Sequence, residues 1–389
     1  MRYRILTLNS ISARGLARLP RQHYEVGADV ERPDAILLRS ADMHDFAIPA
    51  GLWAVGRAGT GVNNIPVAQL SARGIPVFNA PGANANAVKE LVLAGLFLAA
   101  RNIGPAWLFA RALGGDDEAI EAAVEAGKRS FVGFELPGRT LGVVGLGAIG
   151  VEVANSALAL GMKVLGYDPQ ITVQRAWQLS ASVAQARSLE DLFTRADAVS
   201  VHVPLNEETR CLVNAARLAL MQPHGTILNF ARAAIVDEAA VVAALDAARL
   251  HAYVCDFPRR ALKDHPKVIT LPHLGASTGE AEENCAVMIA EQVRDFLENG
   301  NIKNSVNYPE AVLPRVPNTT RLGVANRNVP NMVGQISTCL AAHGINIADL
   351  LNKSRGEYAY TLIDADGELG ADLLARIRAI DGVLSARIV

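Results

Sequence analysis

The segment Gly145-Leu146-Gly147-Ala148-Ile149-Gly150 constrains this chain more than any other. An apolar run, residues 140–144, precedes it, a helical pattern to about residue 160 follows it, and Asp168 stands at the end of the next apolar run, 163–167. Strand, glycine turn, helix, strand and acid in that order make the dinucleotide fingerprint of a parallel α/β sheet. Gly145 allows a tight turn, Gly147 lets a pyrophosphate approach the backbone, and Gly150 lets helix pack on strand. Ala148 and Ile149 open the helix, whose N-terminus offers N–H groups and positive dipole to phosphate. Asp168 can accept from both ribose hydroxyls and would repel a 2′-phosphate, which favours NAD over NADP.

Further βα units follow, with strands expected at 198–202, 226–229, 251–255 and 268–270. Ligands of doubly wound sheets bind beyond the carboxyl ends of the strands. Arg232, Asp256 and His273 fall there. A histidine near neutral pKa suits proton removal from a hydroxyl, and a guanidinium suits a carboxylate and an adjacent carbonyl.

The first ~90 residues show a second strand-and-helix rhythm, with strands expected at 3–8, 35–38, 53–55 and 76–78 and a long helix at 86–101. Arg57 lies beside Gly56, Gly59 and Gly61, the composition of an anion-binding loop. Ser277 is expected to open a helix running to about residue 298. Residues 307–318 hold Pro309, Pro314 and Pro317 and read as a linker, and residues 319–389 read as a compact βαββαβ unit.

The net charge of −2 and half-apolar composition give no general attraction to nucleic acid or to an anionic membrane. The longest apolar run, near 91–100, is short of the ~20 residues that span a bilayer. Cys211, Cys255, Cys285 and Cys339 lack CxxC or zinc spacing, so buried reduced thiols and a cytoplasmic protein without a metal are expected.

At these residues the chain resembles the D-isomer-specific 2-hydroxyacid dehydrogenases, most of all the branch acting on phosphoglycerate. The likeness is carried by Leu38-Arg39-Ser40, by the run from Gly56 to Ile65, by Val77-Phe78-Asn79-Ala80-Pro81, by the stretch Gly142 to Gly150, by Val201-His202-Val203-Pro204-Leu205, by Ala231-Arg232 with Ile235-Val236-Asp237-Glu238, and by Pro272 to Thr278. It implies two doubly wound parallel-sheet domains. The substrate-binding one is discontinuous, residues 1–95 with 280–310. The Rossmann NAD domain, 96–279, is inserted in it, and catalysis occurs in the cleft. It further implies NAD-dependent oxidation of 3-phospho-D-glycerate to 3-phosphohydroxypyruvate, the first step of L-serine biosynthesis. Arg232 would hold the carboxylate and carbonyl, and His273 would be the acid/base. Arg39, Arg57 and Gly59 would bind the phosphate end. His202, Pro204, Ala231, Asp256 and Gly275 would join Gly145, Gly147, Ala148, Ile149, Gly150 and Asp168 around NAD.

The sequence departs from that family at one catalytic position. The glutamate that pairs with the histidine is replaced by Ala261, or by Arg260 in a shifted register, leaving Asp264 as a substitute to be tested. The alternatives are therefore another D-2-hydroxyacid couple, a hydroxypyruvate or glyoxylate reductase, or a weakly active NAD-binding sensor. Residues 319–389 resemble an ACT domain, which implies a homodimer or homotetramer and an L-serine effector contacted by Asn326, Asn328 and Asn346.

Overall fold

The structure is a computed structural model that describes residues 2–389. It divides into two compact units, one comprising the residues up to Ala83 with Gly279–Val389, the other Asn84–Thr278. The second unit is thus inserted in the sequence of the first.

The inserted unit is a seven-stranded parallel sheet. Its strands are β6 (Thr140–Val144), β7 (Lys163–Tyr167), β8 (Ala184–Gln185), β9 (Ala198–Val201), β10 (Gly225–Asn229), β11 (Leu250–Cys255) and β12 (Val268–Thr270), in the order β12-β11-β10-β9-β6-β7-β8. Strand order reverses at β6, next to β9, so the turn after β6 opens at the switch point of the sheet. Strands β9 and β10 are buried along their whole length, as expected where helices cover both faces.

The Ala85–Ala100 helix belongs to this unit and not to the first 95 residues, because its apolar face packs on the NAD-type sheet. Gly95 is the closest approach: a Cβ there would lie 3.1 Å from Val254 and 3.3 Å from Phe230. The Ala-rich region after it forms two further helices, Ile103–Ala112 and Asp117–Gly127, the second capped by the Asp116 side chain on the Ala119 N–H.

The other unit holds two sheets. In the first, β1 (Tyr3–Thr7), β2 (Tyr24–Gly27), β3 (Ala35–Leu38), β4 (Ala54–Arg57) and β5 (Val77–Phe78) run parallel in the order β2-β1-β3-β4-β5. The Gly279–Asn299 helix buries Cys285, Ile289, Val293 and Phe296 in a core shared with β1, β3 and β4. It begins at Gly279, one residue later than Thr278, the first helical residue expected after Ser277. The second sheet is antiparallel, built from β13 (Thr319–Arg327), β14 (Ile347–Arg355), β15 (Tyr358–Asp366) and β16 (Val383–Ile388) in the order β14-β15-β13-β16, with helices Met332–Ala342 and Ala371–Arg378. This is the βαββαβ arrangement read from the sequence.

The residues read as a linker are packed instead. Asn307 closes the edge of β5, accepting from the Val77 N–H at 2.8 Å and donating to Ser71 Oγ and the Ile75 carbonyl. Tyr308 is fully buried with its hydroxyl on the Ser71 carbonyl. Nor do residues 319–389 separate from the first sheet. Fully buried Arg321 makes a two-point ion pair with Asp364, at 2.7 Å for each bond, and donates to the carbonyls of Asn299, Leu313 and Pro314. Arg387 lies over the Phe296 ring and donates to the Phe296 and Leu297 carbonyls. Two guanidinium groups thus satisfy the terminal carbonyls of the Gly279–Asn299 helix, where the helix itself has no donors left and the dipole is negative.

Of the cysteines, Cys255 and Cys285 are buried, whereas Cys211 is exposed, on a loop residue with φ of 50°. Among the described residues no single helix is long and apolar enough to cross a membrane.

Candidate active site

The glycine turn has the geometry that its spacing demands. Gly145 has φ of 89°, and a Cβ on it would stand 2.6 Å from the His202 carbonyl oxygen. A Cβ on Gly150 would collide with the Gly145 carbonyl. At Gly147, the residue preceding the Ala148–Ala159 helix, a Cβ would meet nothing within 4 Å. That open side, next to the first-turn N–H groups at Ala148, Ile149 and Gly150, is where a ligand's phosphates fit against backbone.

Asp168 follows β7 and is fixed by two backbone donors, Leu146 N–H on Oδ2 at 2.8 Å and Gln170 N–H on Oδ1 at 2.9 Å. The carboxylate is thereby oriented, with lone pairs left for two hydroxyls. These features fit a dinucleotide.

His202 follows β9, with Nε2 2.8 Å from the hydroxyl of fully buried Ser200. Burial lowers its pKa to about 4, so the ring is neutral and adds no charge beside the turn. The Pro204 carbonyl accepts from the Thr209 hydroxyl at 2.6 Å, which holds the strand-end loop.

Three neighbouring strands carry the residues expected to react. Asn229 at the end of β10 pairs in register with Cys255 of β11, which pairs with Thr270 of β12. Arg232, Asp256 and His273 each stand one to three residues beyond those positions, on consecutive strand ends. Arg232 is exposed. Its turn is locked by Asn229, a buried residue that the sequence reading missed: Asn229 accepts the Ala231 N–H and donates to the Arg232 carbonyl.

His273 is exposed, in the left-handed region at φ 58°, its ring in a T-shaped contact with Phe257 at 5.4 Å between centroids. Asp256, only 1% exposed, holds it there. Oδ1 accepts the Leu274 N–H and Oδ2 the Gly275 N–H, both at 2.8 Å. Asp256, expected as a cofactor contact, thus has both carboxylate oxygens bonded to the loop that carries His273.

Among the described residues no carboxylate hydrogen-bonds the His273 ring. Ala261 is exposed, and Asp264 is held by Lys263 Nζ at 2.6 Å, so Asp264 does not replace the family glutamate in this structure. Glu238 is ion-paired with Arg259 at 3.7 Å.

In the other unit, Arg39 and Arg57 lie at the carboxyl ends of adjacent strands, with Leu38 and Arg57 paired in register. Arg57 Nε donates to the Arg39 carbonyl at 3.1 Å, and its guanidinium covers the Cβ position of Gly59, a residue with φ of 152°. Only glycine admits the arginine in that pose. Arg39 NH2 is 2.6 Å from Glu282 Oε1, a partner that no local pattern announces.

The three asparagines do not form one site in one chain. Asn326 is buried and donates to the Arg327 carbonyl; Asn328 donates to the Gly356 carbonyl. Asn346 donates to Asp366, whose register partner is Thr319. Asn328 and Asn346 therefore lie at opposite ends of β13, ~30 Å apart at the usual rise of an antiparallel strand.

Comparison with known proteins agrees with this geometry. Residues 106–275 match the D-isomer specific 2-hydroxyacid dehydrogenase, NAD binding domain. D-3-phosphoglycerate dehydrogenase of Haemophilus influenzae is 33% identical over 352 residues, which cover 87% of this chain and 81% of that protein. The chain belongs to the D-isomer-specific 2-hydroxyacid dehydrogenase family. The Synechocystis D-3-phosphoglycerate dehydrogenase is 40% identical over 285 residues, 71% of this chain, which spans about half (49%) of that relative. Among solved folds of this family, the cofactor (NAD+)-bound 3-phosphoglycerate dehydrogenase of Entamoeba histolytica superposes with a TM-score of 0.62 at 25% identity, covering 79% of this chain and 99% of that one.

Proposed function

We propose that this chain oxidises 3-phospho-D-glycerate to 3-phosphohydroxypyruvate with NAD, the first step of L-serine biosynthesis. The observation that carries the reading is the row of strand ends β10, β11 and β12, which presents an exposed guanidinium and an exposed imidazole in the same sheet as the dinucleotide turn.

Arg232 holds the carboxylate of the substrate through parallel N–H donors and polarises the C2 oxygen as it gains carbonyl character. His273 takes the C2 hydroxyl proton as the hydride leaves that carbon, and returns it in the reverse direction. When bound, NAD accepts the hydride. Asp256 keeps the imidazole at its station, doing through the backbone part of what a carboxylate partner would do through the ring. Arg57 and Arg39 take the phosphate, whose dianion calls for two cations.

Reduction of 3-phosphohydroxypyruvate, hydroxypyruvate and glyoxylate by NADH, in wild type and Arg57→Ala, tests the substrate. A preference for the phosphorylated acid that Arg57→Ala removes supports the reading. Equal use of all three, unchanged in the variant, assigns the chain to a non-phosphorylated 2-oxo acid instead. The C-terminal unit is read as an ACT-like module; because one chain separates Asn328 from Asn346, L-serine would be bound only where two copies meet, in a homodimer or homotetramer.

A further inference from the structure

Arg39 in this structure already has an anion. Glu282, in the first turn of the Gly279–Asn299 helix, places Oε1 2.6 Å from Arg39 NH2. The helix N-terminus favours a negative charge there, so the carboxylate sits at a place suited to an anion. Cys285, one turn further along, is buried, and burial raises its thiol pKa while Arg57 and Arg39 pull it down. Both guanidinium groups and the first turn of this helix thus share one electrostatic neighbourhood. Arg39, Arg57 and Glu282 together sum to +1, against a ligand group that carries nearly −2.

We propose that Glu282 is a specificity-determining residue that weakens the hold of this site on a phosphate dianion. The inference rests on the phosphate-binding reading of Arg39 and Arg57. In the free protein Glu282 supplies the anion that Arg39 would otherwise take from the substrate. The Arg39 and Glu282 side chains are 39% and 43% exposed, so the pair itself is weak and opens at little cost. What persists after opening is a negative charge on the first turn of the helix, beside the bound phosphate. Its repulsion is felt by a phosphorylated acid and not by an acid that ends in a hydroxyl, whose O–H can donate to it. Glu282 therefore narrows the margin by which the site favours phosphate over hydroxyl.

Glu282→Gln keeps the shape, keeps a hydrogen bond to Arg39 through the amide oxygen and removes the charge. The expected result is a KM for 3-phosphohydroxypyruvate lowered about three- to tenfold relative to the KM for hydroxypyruvate. A second measurement needs no turnover: titration of the full-length protein with inorganic phosphate by calorimetry. Tighter binding in Glu282→Gln than in wild type, and weaker binding in Arg39→Ala, supports the proposal even if no phosphorylated acid is turned over, an outcome that would sink the substrate reading alone. Phosphate affinity in Glu282→Gln equal to or weaker than that of wild type overturns the proposal.

Discussion

Asp256 and Gly275 are joined by a buried hydrogen bond of 2.8 Å, from the Gly275 N–H to Asp256 Oδ2, and the other oxygen of the same carboxylate takes the Leu274 N–H. These are the two residues that follow His273. A positively twisted histidine, at φ 58°, is kept by this grip. Asp256→Asn replaces one acceptor oxygen by an NH2 group that faces an N–H. We expect a loss of about 1–3 kcal/mol in stability. We also expect a ten- to hundredfold fall in kcat, since the base is displaced and not removed. Denaturant melts and steady-state kinetics on one preparation measure both. Unchanged kcat in a destabilised protein would show that the loop does not need the carboxylate.

Asp168, oriented by the Leu146 and Gln170 N–H groups, is the residue expected to set cofactor choice. Asp168→Ser removes the charge that would repel a 2′-phosphate, while a hydroxyl remains to accept one of the two backbone N–H groups. The ratio of kcat/KM for NADH over NADPH should fall at least tenfold, about 1.4 kcal/mol. A ratio that does not move would place the discriminating group elsewhere.

The seam between the antiparallel sheet and the rest of its unit depends on Arg321 and Asp364. Burial alone would push the Asp364 carboxyl up, but the Arg321 hydrogen bonds and the Val316 N–H hold it below the ordinary carboxylate range. A carboxyl depressed in the folded state stabilises above its unfolded pKa, ~3.9, and that contribution is lost as pH falls through the folded value. Asp364→Asn leaves a buried guanidinium without its counter-charge and should cost about 3–5 kcal/mol at neutral pH. The acid limb of the stability profile should also flatten below about pH 4. Thermal melts across that range are the check.

His202 gives a separate pH signature. Its folded pKa, about 4, lies below the ordinary 6.5, so the unfolded chain binds the proton first. Stability therefore falls as pH drops from 6.5 towards 4 and is unaffected by this group above 6.5. His202→Gln should remove that slope, read as the difference between the two proteins in urea midpoints from pH 4 to 7.

Much of this arrangement is legible in the chain because short-range pattern and steric demand coincide there. The strands 35–38, 163–167 and 268–270 have the bounds that their apolar runs suggest. Gly145 and Gly150 are glycines for reasons of backbone contact that a motif records. What escaped depends on distant partners. Strand β2 is a four-residue edge strand, Tyr24–Gly27, too short for alternation to register. Asn307 and Tyr308 lie in a proline-rich stretch whose composition suggests a linker, and only their contacts with Ser71 and Val77 make them core. The long helix at Ala85 starts the inserted unit because its small residues face β10 and β11, which no local pattern announces. Asp256, Asn229 and Glu282 are visible as residue types, but their work is defined by partners on other elements.

In the proposed reaction His273 performs acid–base chemistry without a carboxylate on its ring. The most direct test follows NADH absorbance with 3-phosphohydroxypyruvate for wild type and His273→Ala, with NADH binding measured in both. We predict turnover in wild type, a fall of about 10²–10⁴-fold in kcat for the variant, and unchanged NADH affinity. Equal turnover in the two proteins, or none in wild type with NADH bound, would contradict that role of His273.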